Sequence, residues 1–428
     1  MYILIAFYYI VSLFNDKARS LVRGQRLTLT SGGLDGLDGC VWFHAASVGE
    51  FEQARPIIER LKREHPDRKI LVTFFSPSGY GMRKDYPLAD AVRYLPFATR
   101  RNAVRFLDAV QPSVAVFVKY EFWPAYLRAL KKRAVPTYII DAIFRPEQPF
   151  FRWWGRVYRR LLRCFTAVFV QDERSRALLE RFGIDNAVVA GDTRFDRVNE
   201  ICAHPKVVDI VQRFVQPAVT PLTDYRTTAS GVRGIDGGPW EVNASEAVGP
   251  SVKVIVAGST WPPDERLLER YVREHDGVRL VMVPHELTSE HLHVIFNMFQ
   301  GRFVRLSEAT PQNVIAARTL LVDCMGLLSS LYKYASVAYV GGGFGVGIHN
   351  TIEPAVFGVP VLFGPNNKRF REAQDMLENG AARTFTDYRS FERAMDEALA
   401  DYKAIGRLSR EYVHSELGAA DKIYDAVF

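Results

Sequence analysis

The sequence predicts an α/β protein built from two tandem Rossmann-like domains. Three observations carry this. Short β-rich runs alternate with longer helical patterns along most of the 428 residues. Glycine-rich turns fall at the carboxyl ends of those runs, where doubly wound sheets bind ligands. A single stretch without apolar periodicity, Gln216–Pro250, rich in Pro, Gly, Thr and Ser, splits the alternation into halves and reads as a linker or inserted loop. With 48% hydrophobic and 24% charged residues, the composition excludes both a disordered chain and a polytopic membrane protein. Each half is long enough to bury its own core.

The elements follow in chain order. Met1–Phe14 is apolar or aromatic except for Ser12, and Lys17, Arg19, Arg23 and Arg26 follow it. It is shorter than the roughly 20 residues of a spanning helix. Positive charge before the apolar run and a cleavage site after it, the marks of a secretory signal, are both missing. Bases on its C-terminal side keep the body of the chain in the cytoplasm. We read residues 1–26 as a membrane anchor with a basic flank, against the plainer alternative of a buried first helix. The first domain (27–205) has strands at Val41–Ala45, Ile70–Phe74, Val114–Val118, Thr137–Ile140, Ala167–Val170 and Ala187–Val189. Helices are expected between them, among them Phe51–Glu64, Arg101–Val110 and Ser175–Phe182. Within it, Phe150–Arg163 (FFRWWGRVYRRLLR) places five arginines on one helical face and aromatic residues on the other. That pattern suits a docked surface helix and equally an interfacial helix at anionic head groups. The linker covers 206–251. The second domain (252–406) has strands at Val252–Ala257, Arg279–Val283, Leu320–Val322, Val337–Val340 and Pro360–Leu362, and a terminal helix (407–428) is expected to return toward the first domain.

Charge and cysteines narrow the partners. Lys and Arg exceed Asp and Glu by 55 to 48, a net charge of +7 that favours anionic partners. No RNA- or DNA-binding motif is present, so nucleic acid is not among them. Cys40, Cys164, Cys202 and Cys324 are isolated, so zinc-ribbon and thioredoxin motifs are excluded and a reducing compartment fits. His285, Glu286, His291 and His293 lack the HExxH spacing of zinc proteases, and no metal is expected.

Four strand-end motifs carry candidate chemistry. In His44-Ala-Ala-Ser-Val-Gly-Glu50, Ser47 and Glu50 form S-x-x-E at a helix start. Two readings stand side by side: a capping box, or a carboxylate held ionised by the helix dipole as a general base. Val340–Glu353 runs from a strand through a loop with five glycines to a helix start, with neither GxGxxG nor P-loop spacing. Its glycines permit close backbone approach to a phosphate, and Glu353 is placed to accept from ribose hydroxyls. Ala257-Gly-Ser259-Thr260 offers amides and hydroxyls, and Asp323-Cys-Met325-Gly326-Leu327 is a further strand-end loop.

Taken together, these motifs resemble the 3-deoxy-D-manno-octulosonic acid (Kdo) transferase family of lipopolysaccharide assembly. The likeness rests on HAASVGE at 44–50, EFWP at 121–124, GDTRFD at 191–196, AGST at 257–260, GIHNTIEPA at 347–355 and LFGPNNKRF at 362–370. It implies a GT-B glycosyltransferase with an interdomain cleft, taking CMP-Kdo as donor and a lipid A precursor as acceptor at the cytoplasmic face of the inner membrane, without a metal. By resemblance the general base falls on Glu50, with Arg194, Lys119 and Glu121 supporting the donor or transition state. Donor contacts fall on Ser259, Thr260, Pro284, His285, Met325, Gly326, Leu327, Asn350, Thr351, Ile352 and Glu353, and acceptor contacts on Ser47 and Gly49. Four positions depart from the family pattern. Lys119 replaces a glutamate and Arg194 a lysine; Pro284-His285-Glu286-Leu287 loses an arginine and Met325-Gly326-Leu327 a carboxylate. A divergent branch accounts for them. A GT-B enzyme with another nucleotide sugar, or an inactive lipid-binding protein on this fold, are the alternatives, and retention of both SVGE and HNxxE stands against the second.

Overall fold

In the computed structural model, residues 8–30, 33–215 and 252–428 are described. The 216–250 segment and the first half of the Met1–Phe14 run therefore lie outside the described residues. The chain divides into two compact units, Met1–Glu200 with Ser415–Phe428, and Ile201–His414.

The first unit carries a seven-stranded sheet: β1 (Val41–Ala45), β2 (Ile70–Phe74), β3 (Ala91–Tyr94), β4 (Val114–Val118), β5 (Thr137–Ala142), β6 (Ala167–Val170) and β7 (Ala187–Val189), in the order 3-2-1-4-5-6-7. Every recorded pairing is parallel. Side chains alternate between two buried faces, as period two demands. Trp42, Leu71, Phe117 and Ile139 join one core, while Val41, Phe43, Val72, Val116 and Ile140 join the other. Helices cover both faces, which explains why these strands read as unbroken apolar runs.

The second unit repeats the plan. Strands β8 (Lys253–Thr260), β9 (Val278–Pro284), β10 (Val304–Arg305), β11 (Thr319–Leu321), β12 (Val337–Val340), β13 (Val361–Phe363) and β14 (Ala382–Thr384) form a second seven-stranded sheet, order 10-11-9-8-12-13-14. Two doubly wound parallel sheets are thus the architecture the sequence predicts. In each, strand order reverses beside the first strand, between β1 and β4 and between β8 and β12, and the crevice at the carboxyl ends there is the ligand position of such folds.

Three local differences have physical causes. Strands β3, β10 and β14 were not expected; they have two to four residues and carry Arg93, Arg305 and Arg383. The amphipathic helix expected over Phe150–Arg163 is shorter: Pro149–Phe151 is a 3-10 turn and the α-helix is Arg156–Leu162. Gly155 permits the tight turn before it, because a Cβ there would lie 2.3 Å from the Pro149 carbonyl oxygen. Arg152 therefore leaves the helical face, Arg159 bonds the Phe150 carbonyl at 2.6 Å and Arg163 that of Gly183 at 3.1 Å. At the end of the chain Gly418, at φ +93°, separates helix Tyr402–Glu416 from helix Ala419–Val427. The Asp196 carboxylate accepts from the amides of Gly418 (2.7 Å) and Ala420 (2.8 Å), which pins the last helix to the first unit.

At the other end, Tyr8 and Tyr9 lay their rings against Phe97, and Tyr8 also meets Phe75. Ile10, Leu13 and Phe14 are exposed. Among the described residues, no helix is long and apolar enough to cross a membrane.

Candidate active site

At the carboxyl end of β1 the chain turns into helix Val48–Glu64. Ser47 caps it, its hydroxyl accepting from the Glu50 amide at 3.4 Å. The Glu50 carboxylate does not return to the cap residue's own amide. It accepts from the amide of Ala46, one residue earlier, through Oε2 at 2.5 Å. Among the described residues Oε1 has no hydrogen bond. Burial raises the Glu50 pKa, the charge of Glu121 raises it further, and the Ala46 amide, His44 and Lys119 act against them. One oxygen thus anchors the helix start, and the other is left open on a half-buried carboxylate whose pKa is raised. Gly49 and Ser47, in the same turn, are exposed.

Glu121 is fixed by a chain of buried polar groups. His44 sits on β1 with no exposed surface; its Nε2 lies 3.0 Å from Glu121 Oε2 and its Nδ1 2.9 Å from Thr73 Oγ1. Trp123 donates its indole N–H to Glu121 Oε2 at 2.6 Å, and Trp42 donates to Thr73 Oγ1 at 2.8 Å. His44 heads the HAASVGE motif and Glu121 and Trp123 share the EFWP motif, but no spacing in the sequence brings these segments and Thr73 together.

Lys119 and Asp141 end adjacent strands β4 and β5, and both hold left-handed backbone conformations, φ +57° and +56°. Such strain in non-glycine residues concentrates at functional sites. Asp141 is fully buried and accepts from both the amide (2.8 Å) and the hydroxyl (2.7 Å) of Thr193. Burial, with Asp192 beside it, pushes its pKa up to about 7. Burial also opposes ionisation of Asp192, but the Arg194 guanidinium, 2.6 Å away, outweighs it and holds that carboxyl low. Arg194 is thereby committed to Asp192. Lys119 favours the charged form of Glu50, Asp141 and Asp192 alike, so this ammonium faces three carboxylates without a close ion pair to any.

The second unit gathers most of the remaining motifs. Asn350 stands just before the Thr351 N-cap of helix Ile352–Val356, its side-chain oxygen accepting from the Ile352 amide at 3.0 Å while its NH2 donates to Glu353 at 3.1 Å. Burial raises the Glu353 pKa against that bond. The Thr351 hydroxyl is buried without a partner. Ser259 is left-handed (φ +53°), whereas Thr260 is fully buried and spends its hydroxyl on Glu265. Pro284 ends β9, and the exposed His285 follows it. His285 stacks between Trp261 (4.7 Å) and His349 (4.5 Å), and the Trp261 N–H reaches His349 at 3.3 Å. Trp261 and His349 were not singled out in the sequence. Met325 is exposed, and Gly326 turns at φ +82° beside Leu327. His291 bonds Glu265 and the Glu286 carbonyl, each at 3.0 Å, and belongs to the support of this end. The glycine loop is tightly packed as well: a Cβ on Gly343 would lie 2.6 Å from the Gly364 backbone.

This geometry, two Rossmann-like units with strand-end clusters of polar side chains, is the GT-B fold. Solved structures share the fold. A UDP-GlcNAc 2-epimerase from Neisseria meningitidis bound to UDP-GlcNAc aligns with TM-score 0.60 at 15% identity over 90% of this chain and 98% of that one. MurG from Acinetobacter baumannii aligns with TM-score 0.52 at 10% identity over 91% and 99%. The family profile described as 3-Deoxy-D-manno-octulosonic-acid transferase (kdotransferase) matches residues 22–197. The 3-deoxy-D-manno-octulosonic acid transferase of Aquifex aeolicus is 24% identical over 80% of this chain and 81% of its own length. That of Haemophilus influenzae is 24% identical over 90% and 86%. The family profile thus covers most of the first unit, and the two transferases just named extend the similarity over 80–90% of the chain.

Proposed function

We propose that this enzyme moves Kdo from CMP-Kdo to a lipid A precursor of the lipid IVA type, with inversion, in lipopolysaccharide core assembly. The observation that carries the proposal is Glu50. One of its oxygens is anchored on the Ala46 amide, the other is open, and burial with a neighbouring carboxylate keeps it basic. Glu50 takes the proton of the attacking acceptor hydroxyl; that oxygen bonds to the anomeric carbon of Kdo as the bond to the CMP phosphate breaks and CMP leaves. Lys119 supplies positive charge near the base. On the second unit Asn350 and Glu353 are offered to the nucleotide, Glu353 as acceptor for the ribose hydroxyls. No metal takes part in this proposal.

We also place the enzyme at the cytoplasmic face of the inner membrane, against anionic lipid. The exposed Ile10, Leu13 and Phe14 and the 91%-exposed Trp153, beside Arg156 and Arg160, support an apolar and cationic contact with a bilayer.

The test is a transfer assay with membrane-reconstituted protein, freshly preformed CMP-Kdo and a tetraacylated lipid A precursor, run with and without EDTA. Kdo-lipid should form in both. A folded Glu50→Gln should lose at least ~100-fold in kcat, the scale of a missing general base. Equal product from Glu50→Gln would leave that residue only its role at the helix start. Loss of product in EDTA would overturn the metal-free proposal. No product from wild type would sink the donor assignment, and other nucleotide sugars would then be screened.

A further inference from the structure

The first unit carries a cavity of about 790 Å³ that no step above uses. It lies between helix Arg100–Val110 and helix Pro124–Lys132. Its walls are of two kinds. Ala98, Val104, Pro124, Ala125 and Ala129 are apolar, while Arg100, Arg128, Lys132 and Arg133 are cationic, and no carboxylate lines it. Arg133 is already neutralised by Asp108 at 2.6 Å. Arg100, Arg128 and Lys132 have no ion pair or hydrogen bond among the described residues. Three uncompensated cations around one cavity repel each other, an arrangement that an entering anion relieves.

A second observation points the same way. Helix Pro124–Lys132 begins at Trp123, which provides no side-chain cap. Its first-turn amides therefore lack the acceptor that Ser47 and Thr99 supply to their own helices. Pro124 and Ala125 of that uncapped turn line the cavity. The same Trp123, the residue before Pro124, donates to Glu121, whose charge acts on Glu50. Trp123 also lies 5.1 Å from the Phe75 ring, and Phe75 and Phe97 carry Tyr8 and Tyr9. An apolar track thus begins where the cationic cavity ends.

We propose that this cavity is a phosphate subsite for an amphiphile, with Arg100, Arg128 and Lys132 as the binding residues. Resting on the function proposed above, we assign it to a phosphate of the acceptor lipid. Its size suits a phosphosugar unit, since small-molecule pockets span about 300–1,000 Å³. The group it takes is a phosphate next to apolar surface, a chemistry shared by the acceptor and by bilayer head groups.

The experiment separates the two sources. Arg128→Ala/Lys132→Ala and Arg100→Ala change exposed side chains and leave the core untouched. In detergent, kcat and KM are measured for the bis-phosphorylated acceptor and for its phosphatase-treated form. In parallel, binding to phosphatidic acid vesicles without acceptor is followed by co-sedimentation. The double variant should raise KM for the phosphorylated acceptor roughly tenfold or more, as loss of charged hydrogen bonds does, with kcat nearly unchanged. KM for the dephosphorylated acceptor should be equal in variant and wild type, and vesicle binding should persist. Weakened vesicle binding with an unchanged KM would assign the phosphate to a bilayer lipid and overturn the acceptor assignment. No change in either readout overturns the subsite itself. Wild type that fails to transfer sinks the proposed function instead, and the vesicle arm still reports on the cavity.

Discussion

At the scale of single residues, the charges around Glu50 make opposite demands on it. Its carboxyl must be ionised to accept a proton, so activity falls as pH drops through its pKa. Burial and Glu121 raise that pKa, and Lys119 lowers it. The acid limb of kcat/KM should therefore sit above the ordinary carboxylate range. Glu121→Gln removes a like charge, and the limb should move to lower pH. Lys119→Gln removes an opposite charge, and the limb should move to higher pH. A pH–rate profile of both variants checks the two signs together, and shifts in the same direction would break the argument. Glu50 was legible in the sequence because S-x-x-E follows a strand directly. The group that fixes Glu121 was not: His44 and Glu121 are 77 residues apart, and only the parallel pairing of β1 with β2 and β4 gathers His44, Thr73 and the β4 end. The buried Asp141 escaped for the same reason, since a lone aspartate at a strand end has no spacing to betray it, and Asp192, though inside GDTRFD, was given no role there.

At the scale of elements, legibility tracked burial. The central strands are continuous apolar runs covered on both sides, and they read clearly. Edge strands β3, β10 and β14 are interrupted by arginine, whereas β7, an edge strand of only three residues, was read because its run is wholly apolar. Helix Arg156–Leu162 failed differently: its amphipathic spacing is real, but Gly155 bends the chain at a backbone contact no one-dimensional pattern contains. The terminal helix Ala419–Val427 depends on a similar long-range contact. Asp196 satisfies two amides at its start, and Ala420, Ile423 and Tyr424 enter the core beside Ile57 and Leu61. Asp196→Ala removes the acceptor and keeps the apolar docking. We expect a loss of about 1 kcal/mol, the usual value of an N-terminal cap. Hydrogen exchange should accelerate at Gly418 and Ala420 and through the helix's first turn, while amides of β1 and β4 keep their protection. Unchanged exchange at Gly418 and Ala420 would show that the docked apolar face alone sets the stability of this helix.

At the scale of the whole molecule, the net charge of +7 and the exposed apolar groups bear on one question, how the enzyme meets its lipid substrate. Charge alone would hold it to any acidic surface and would release it as salt rises, because the Debye length falls from about 10 Å at 0.1 M to 3 Å at 1 M. Apolar insertion alone would be indifferent to salt. The first unit displays both kinds of group on one segment: Trp153 and Val157 are exposed beside Arg156 and Arg160. The two contributions can therefore be separated by substitution. Wild type should bind vesicles containing phosphatidylglycerol more tightly than phosphatidylcholine vesicles, and binding should weaken but persist at about 0.5 M salt. Arg156→Glu/Arg160→Glu should abolish the preference for anionic vesicles and leave the residue of binding that survives salt. Trp153→Ser should do the reverse, keeping the preference at low salt and losing most of the salt-resistant part, because a buried indole contributes area that screening does not touch. Co-sedimentation across a salt series reads both quantities for all three proteins. If the arginine variant kept its lipid preference, the attraction would have to be assigned to another basic region of the chain, and the Arg156–Leu162 helix would be only a solvated face.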